Sequence, residues 1–221
     1  MSKNTKQLLV EGLADEAFFS ACCDNAGVGE VDIGPPTSFN GQGMGKGNAI
    51  KILPDLIDEM VQERVTHLGM IVDADYSKTG GLGFAATWEK IAKILEEKSY
   101  DTKKTKIAST GGYIFKSNDG LPDVGIWIMP NNKDGGFLED FIKKSLASSE
   151  KKLFKHAQDT VNALEDKRFR ELHVSKTEVM TWLAWQKIPG QSFASLISGK
   201  LLDLKSGMGK EFIDWLKKVY K

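Results

Sequence analysis

The sequence predicts an α/β protein with a three-layer, mostly parallel sheet and a helical C-terminal extension. Short apolar runs of strand length alternate with amphipathic stretches of helix length as far as residue 146, and beyond it the periodicity is helical. Some runs are apolar without alternation, which is how a strand reads when helices cover both of its faces. With 221 residues, 41% hydrophobic and 27% charged, the chain can bury a sizeable core and falls outside the disordered and fibrous classes. The boundary is expected near Ser148–Ser149, with an α/β domain over 1–148 and a helical extension over 149–221 packed on it.

Gln7–Val10 is a first strand, followed by a helix over Ala14–Ala21 and a short strand over Val31–Ile33. A glycine- and proline-rich loop, Gly34–Asn48, leads to a helix over Ala49–Val65, with Ile50, Leu53, Ile57 and Val61 at helical spacing. His67–Val72 is short, apolar and bounded by charge, a buried strand that runs straight into Asp73-Ala74-Asp75. After a glycine-punctuated loop comes a helix over Thr87–Lys98, through Trp88, Ile91, Ile94 and Leu95. Lys106–Phe115 and Val124–Met129 read as the two strands of a hairpin across the turn-rich Lys116–Asp123. Helices are then expected over Phe137–Leu146, Glu150–Asp166, Lys176–Gln186, Ser192–Leu202 and Lys210–Val219.

The only cysteines, Cys22 and Cys23, are adjacent, which disfavours a mutual disulfide and leaves nothing for a secreted disulfide framework. The longest apolar runs are far short of the roughly 20 residues of a membrane span, and MSKNTKQ enters the first strand without a signal-peptide core. A cytoplasmic protein without membrane association is the expectation. The formal net charge is zero, from 30 basic and 30 acidic residues, which on its own disfavours a polybasic nucleic-acid binder. That zero is a cancellation: residues 1–75 carry 5 basic and 12 acidic side chains, and residues 76–221 carry 25 and 18. The only arginines are Arg64, Arg168 and Arg170, so the positive half acts through lysines as point charges, suited to sequence-independent backbone contact.

In an open α/β sheet ligands bind beyond the carboxyl ends of the strands, and there this sequence places acids. Glu11 follows the first strand, Asp73 and Asp75 follow the third, and Asp134, Glu139 and Asp140 follow Val124–Met129. Residues two apart on a strand share a face, so Asp73 and Asp75 can serve one hard cation, and Asp15, four after Glu11, can face the same cavity. Unneutralised, such a group is electrostatically costly, which makes divalent cations its natural partners. Oxygen-only ligands suit magnesium, manganese or calcium, whereas His67, His156 and His173 lack the spacing of a zinc site.

The strings LLVEGLADEAFF, MIVDADYS and GGFLEDF resemble the Toprim fold, a Rossmann-like domain, of OLD-type nucleases and of small stand-alone bacterial Toprim-like proteins of unknown function. Glu11, Gly12 and Asp15 match the first motif of that family, Asp73 and Asp75 its D-x-D, and Glu139 with Asp140 its third, over residues 6–145. The resemblance implies metal-dependent phosphodiester chemistry with Mg2+ or Mn2+, in which two ions clamp the attacking and leaving oxygens. On that footing the metal ligands are Glu11, Asp15, Asp73, Asp75, Glu139 and Asp140, and the catalytic residues Glu11, Asp73, Asp75, Glu139 and Lys176. Glu11 or Glu139 would also shuttle a proton. Lys176 is the candidate for the phosphate-steadying lysine of OLD-type sites, with Lys133 and Lys187 as competitors.

The chain departs from the family by lacking an ATPase domain, so the expectation is that either a partner protein supplies it or the activity differs or is absent. The expected function is that of a nuclease or nuclease-like component of a defence or repair system, with a nucleic acid or nucleotide as ligand. A non-catalytic module binding a protein or nucleotide, or a small-nucleotide phosphotransferase or hydrolase, stands as the alternative, and a homo-oligomer is left open. The loop Asn40–Asn48 fails as a Walker A motif at two positions, although Lys46 at a helix start can still contact a phosphate. Trp182, Trp185 and Trp215 are expected in the core, and Lys143, Lys144, Lys151, Lys152 and Lys155 on a solvated helix surface.

Overall fold

A computed structural model describes residues 5–103 and 111–221. Five strands, β1 (Thr5–Leu9), β2 (Asp32–Gly34), β3 (Val65–Asp73), β4 (Tyr113–Phe115) and β5 (Val124–Met129), form one sheet in the order β2-β1-β3-β5-β4. The first four strands of that order run parallel, and β4 pairs antiparallel with β5 at the edge. The helices are α1 (Leu13–Ala26), α2 (Lys46–Val61), α3 (Gly83–Glu97), α4 (Leu138–Lys144), α5 (Lys151–Asn162), α6 (Val174–Ala184), α7 (Ser195–Ser198) and α8 (Gly207–Tyr220). The mostly parallel three-layer architecture is therefore the one the alternating pattern predicts.

Alternation along the strands splits the core in two. Leu8, Val10, Ile71, Trp127 and Met129 face one layer, where α1, α4 and α8 supply Phe18, Phe141, Phe212 and Trp215. Leu9, Met70, Val72, Ile126 and Ile128 face the other, covered by Leu53 and Ile57 of α2 and Ile91 and Leu95 of α3. The segment 149–221 thus completes the first layer through α8, while α5 and α6 pack against each other and α6 against α4. Burying Phe212, Trp215, Leu216 and Tyr220 contributes roughly 1.5–3 kcal/mol per side chain.

A glycine seat explains why α8 sits so close to the sheet. Gly69 of β3 and Gly125 of β5 are register partners. A Cβ on Gly69 would lie 2.5 Å from the Tyr220 hydroxyl, and one on Gly125 would lie 2.3 Å from Val219. Tyr220 then donates its hydroxyl proton to the Gln7 carbonyl at 2.7 Å, and Lys6 donates to the Tyr220 carbonyl at 2.7 Å.

Three elements differ from expectation. The predicted helix over Ala49–Val65 starts earlier, at Lys46, and stops at Val61, because Glu63 adopts a left-handed backbone and releases Val65 into β3. Of Ser192–Leu202 only Ser195–Ser198 is α-helical, and of the predicted strand Lys106–Phe115 residues 106–110 lie outside the described residues while Tyr113–Phe115 forms β4. Trp182 and Trp215 are buried as expected, but Trp185 is 41% exposed. Among the described residues no helix is long and apolar enough to cross a membrane.

Candidate functional site

The carboxyl ends of β1, β3 and β5 meet at one edge and are fastened together there. Gly45 donates its N–H to the Glu11 carbonyl at 2.8 Å, bringing the start of α2 to the end of β1. Ala74 donates to the Met129 carbonyl at 3.1 Å, and Asp75 and Gly136 exchange a pair of backbone hydrogen bonds at 3.0 Å. The starts of α1, α2 and α4 therefore converge on the ends of β1 and β3, the position where helix N-termini favour anionic groups.

Glu11, Asp15, Asp73 and Glu139 gather in this cleft. Asp73 donates its N–H to Glu11 Oε1 at 2.8 Å, Leu138 donates to Asp73 Oδ1 at 3.1 Å, and Gly12 donates to Asp15 Oδ2 at 3.0 Å. Burial pushes the Glu11 carboxyl up to about 7, against the Asp73 N–H and Lys46, which favour its charge. Burial likewise raises Asp15 to about 6, and with the neighbouring carboxylates Glu11, Asp15, Glu139 and Asp75 it holds Asp73 well above the ordinary range. Glu139 is raised by burial too, with Lys176 and His173 working against it. Between Glu11, Asp15, Phe19, Asp73 and Leu138 lies a cavity of about 10 Å³, about the space of one water-sized sphere.

Asp75 stands at the rim. β3 ends at Asp73, and Asp75 has a left-handed backbone (φ 62°), so strand alternation no longer aims its side chain. It forms an ion pair with Lys46, whose ammonium also donates to the carbonyls of Asp73 at 3.1 Å and Ala74 at 3.3 Å. Lys46, 11% exposed in its side chain, is the cation the cleft contains.

Asp140 is turned elsewhere. It accepts from the Phe137 N–H at 3.0 Å and from the Ser175 hydroxyl at 2.6 Å, beside Lys143, which bridges to Glu178 at 2.5 Å. Asp134 is exposed and bonded to Asn131 and Lys144, both at 2.8 Å. Lys176, at the start of α6, is solvent-exposed yet close enough to Asp15 and Glu139 to lower both carboxyls. Lys133 and Lys187 are exposed, and Lys133 acts on Asp134.

Residues 5–221 match the model of a protein family of unknown function, DUF3226. The chain belongs to that family. No curated protein and no solved structure matches it.

In this DUF3226 chain the donor set suits one hard cation: every carboxylate in the cleft offers oxygen, none is a thiolate or imidazole, and the cavity has the size of a single ion. Among the described residues, however, no three acidic, imidazole or thiol groups already converge in a coordinating arrangement. Glu11, Asp73 and Asp15 each engage one oxygen with a backbone N–H, and Asp75 is held by Lys46. The DUF3226 cleft also contains what the sequence placed elsewhere: Lys46 emerges as the cleft cation instead of a loop lysine. The available signal was its position at a helix start directly after a glycine-rich loop that returns to the strand ends.

Proposed function

We propose that this chain is a Toprim-like, divalent-metal-dependent protein acting on phosphodiesters, most simply a nuclease or nuclease-like component of a defence or repair system. The observation that carries this reading is the placement of Glu11, Asp15 and Asp73 around an ion-sized cavity, with Glu139 close enough to act on Asp15 and Asp73 and all four pKa values raised, a site in want of a cation. Glu11, Asp15 and Asp73 would hold Mg2+ or Mn2+, with Asp75 at the rim. A bound ion supplies Lewis acidity toward a phosphoryl oxygen and acidifies a coordinated water. Lys46 holds the loop before α2 against the end of β3 and keeps Asp75 in place. Glu139, on the α6 side of the cleft, is placed to take up or release a proton, and Lys176 to steady a phosphate as a point charge.

The test pairs manganese calorimetry with incubation of labelled single- and double-stranded DNA and RNA in manganese and in EDTA. The expected result is manganese binding that is lost in Glu11→Gln and Asp73→Asn, and cleavage that needs the metal and is lost in Asp73→Asn. Manganese binding that is absent, or untouched by both substitutions, overturns it. One observation favours a second reading, a non-catalytic module using the fold to bind a protein or nucleotide: the carboxylates are already engaged by backbone N–H groups and Lys46. Metal binding without cleavage of any substrate selects that reading. A small-nucleotide phosphotransferase or hydrolase would use the same carboxylates and is distinguished by turnover of nucleotides alone.

A further inference from the structure

Next to the carboxylate cleft lies a polar cluster that joins three segments of the chain. Ser175 donates its hydroxyl proton to Asp140 Oδ1 at 2.6 Å, Lys143 donates to the Ser175 hydroxyl at 3.1 Å, and Asp140 Oδ2 accepts from the Phe137 N–H at 3.0 Å. Tyr76 completes the cluster. Its ring meets Phe137 edge-on at 5.3 Å, and burial, followed by a hydrogen bond to Asp140, pushes its phenol up to about 12, with Ser175 opposing. Each of the three is the immediate sequence neighbour of a residue of the proposed site: Tyr76 follows Asp75, Asp140 follows Glu139, and Ser175 precedes Lys176. Two glycines leave room for the approach. A Cβ on Gly136 would lie 2.7 Å from Asp140 Oδ2, and one on Gly135 would lie 2.7 Å from the Asp75 carbonyl.

We propose that Tyr76, Asp140 and Ser175 are positioning residues, a lock that fixes where Asp75, Glu139 and Lys176 stand relative to one another. Consecutive residues of a helix project about 100° apart, so pinning Asp140 of α4 to Ser175 of α6 also sets the directions of Glu139 and Lys176. The loop after β3 is tied to the same point twice, through the Tyr76 ring on Phe137 and through the Asp75–Gly136 backbone pair. Stability alone is a poor reason for such a cluster, because a buried charged network is often no more stabilising than apolar side chains of the same volume. Asp140 and Glu178 are buried here all the same, with Lys143 at 4.0 Å from the one and 2.5 Å from the other. What the network gains is a single arrangement of α4, α6 and the loop. Lys176 shows the result: exposed at the start of α6, it still acts on both Asp15 and Glu139. The roles of Asp75, Glu139 and Lys176 rest on the phosphodiester reading above; the lock itself is measured in the metal-free protein.

The experiment is amide hydrogen exchange of the full chain in EDTA, read at Asp75 and Gly136 and, for reference, in the β3–β5 ladder, alongside manganese calorimetry on the same variants. Tyr76→Phe, which keeps the ring on Phe137, and Ser175→Ala are each expected to quicken exchange at Asp75 and Gly136 about fivefold, as for one lost hydrogen bond, and by more than in the ladder. Exchange that quickens in the ladder but not at Asp75 and Gly136 marks a merely structural role and overturns the lock. Lys176→Met is expected to tighten manganese binding about threefold, because it removes a point charge close to Asp15 and Glu139. In the Ser175→Ala background the same substitution is expected to change it by no more than about 1.5-fold, since Lys176 is no longer held in place. An equal effect in the two backgrounds also overturns the lock. Should Ser175→Ala fail to fold, Tyr76→Phe replaces it in both measurements. If manganese binds none of the samples, the metal reading falls and exchange alone decides the lock; if manganese binds and exchange at Asp75 and Gly136 is indifferent to both substitutions, the lock falls and the metal reading stands.

Discussion

At the start of α1 the Asp15 carboxylate accepts from the Gly12 N–H, and at the start of α4 the Asp140 carboxylate accepts from the Phe137 N–H, both at 3.0 Å. Each is the acidic half of a capping box, three residues into its helix. The surroundings then diverge. Asp140 receives the Ser175 hydroxyl and sits beside Lys143, itself paired with Glu178, so the charge is matched by donors and a cation. Asp15 stands among Glu11, Asp73 and Glu139 instead, and burial, with Glu139 adding to it and Lys176 opposing it, drives its carboxyl up to about 6. A helix cap alone therefore does not decide whether a buried acid is scaffold or site; the donors and cations that accompany its burial do.

Breaking the matched side carries the largest expected effect. Lys143→Met leaves Glu178, 4% exposed, buried without its cation, and is expected to cost about 3 kcal/mol, read as a drop in the urea midpoint at unchanged m-value. A loss below about 1 kcal/mol would remove the contrast between the two acids.

The unmatched side should respond in the opposite direction. Glu11 keeps a proton in the folded state up to about pH 7 that the unfolded chain gives up near 4.5, so stability of the metal-free protein falls as pH rises through that window and levels off above it. Glu11→Gln removes the share of the fall that Glu11 contributes, leaving that of Asp15, Asp73 and Glu139, and stabilises the metal-free protein by roughly 2 kcal/mol at pH 8, raising Tm by about 4–8 °C. Thermal melts from pH 5 to pH 8 check it, and parallel curves for the variant and the parent would refute it.

Manganese at about ten times its Kd should restore about 1.4 kcal/mol at pH 8 to the parent and nothing to Glu11→Gln, a difference visible in the same melts. The smallest effect separates the two caps directly. Asp15→Asn is expected to stay within about 0.5 kcal/mol of the parent at pH 8, since the weakened cap is offset by relief of repulsion. Asp140→Asn should cost about 1 kcal/mol more than that, because its charge is answered by Lys143 and Ser175.

The layered α/β architecture was legible because β3 and β5 are apolar on both faces and α3 carries its stripe at helical spacing. What stayed hidden depends on register or on backbone handedness. Gly69 and Gly125 form a seat for α8 only once β3 and β5 are aligned, and Glu63 ends α2 through a left-handed conformation that residue type does not announce. In the site, Glu11 and Asp73 were readable as acids at strand ends. Asp75 looked equivalent to Asp73 by spacing, but its own left-handed backbone hands it to Lys46. Glu139 and Asp140 are neighbours in sequence, yet only the path of α6 decides which one receives Ser175 and which one Lys176.

The seating of α8 also sets an order of events during synthesis. β1 spans Thr5–Leu9 and is an interior strand of the sheet, yet the layer that covers Leu8, Ile71 and Trp127 includes side chains up to Tyr220. A nascent chain that has made all five strands has α1 for that face but still lacks α8, and the closing contacts join residues more than 200 positions apart, such as Tyr220 with Gln7. Such long-range closure is slow. The half-made protein therefore carries a partly uncovered apolar sheet face until residue 220 has been added, and that interval is when it most needs protection from its neighbours.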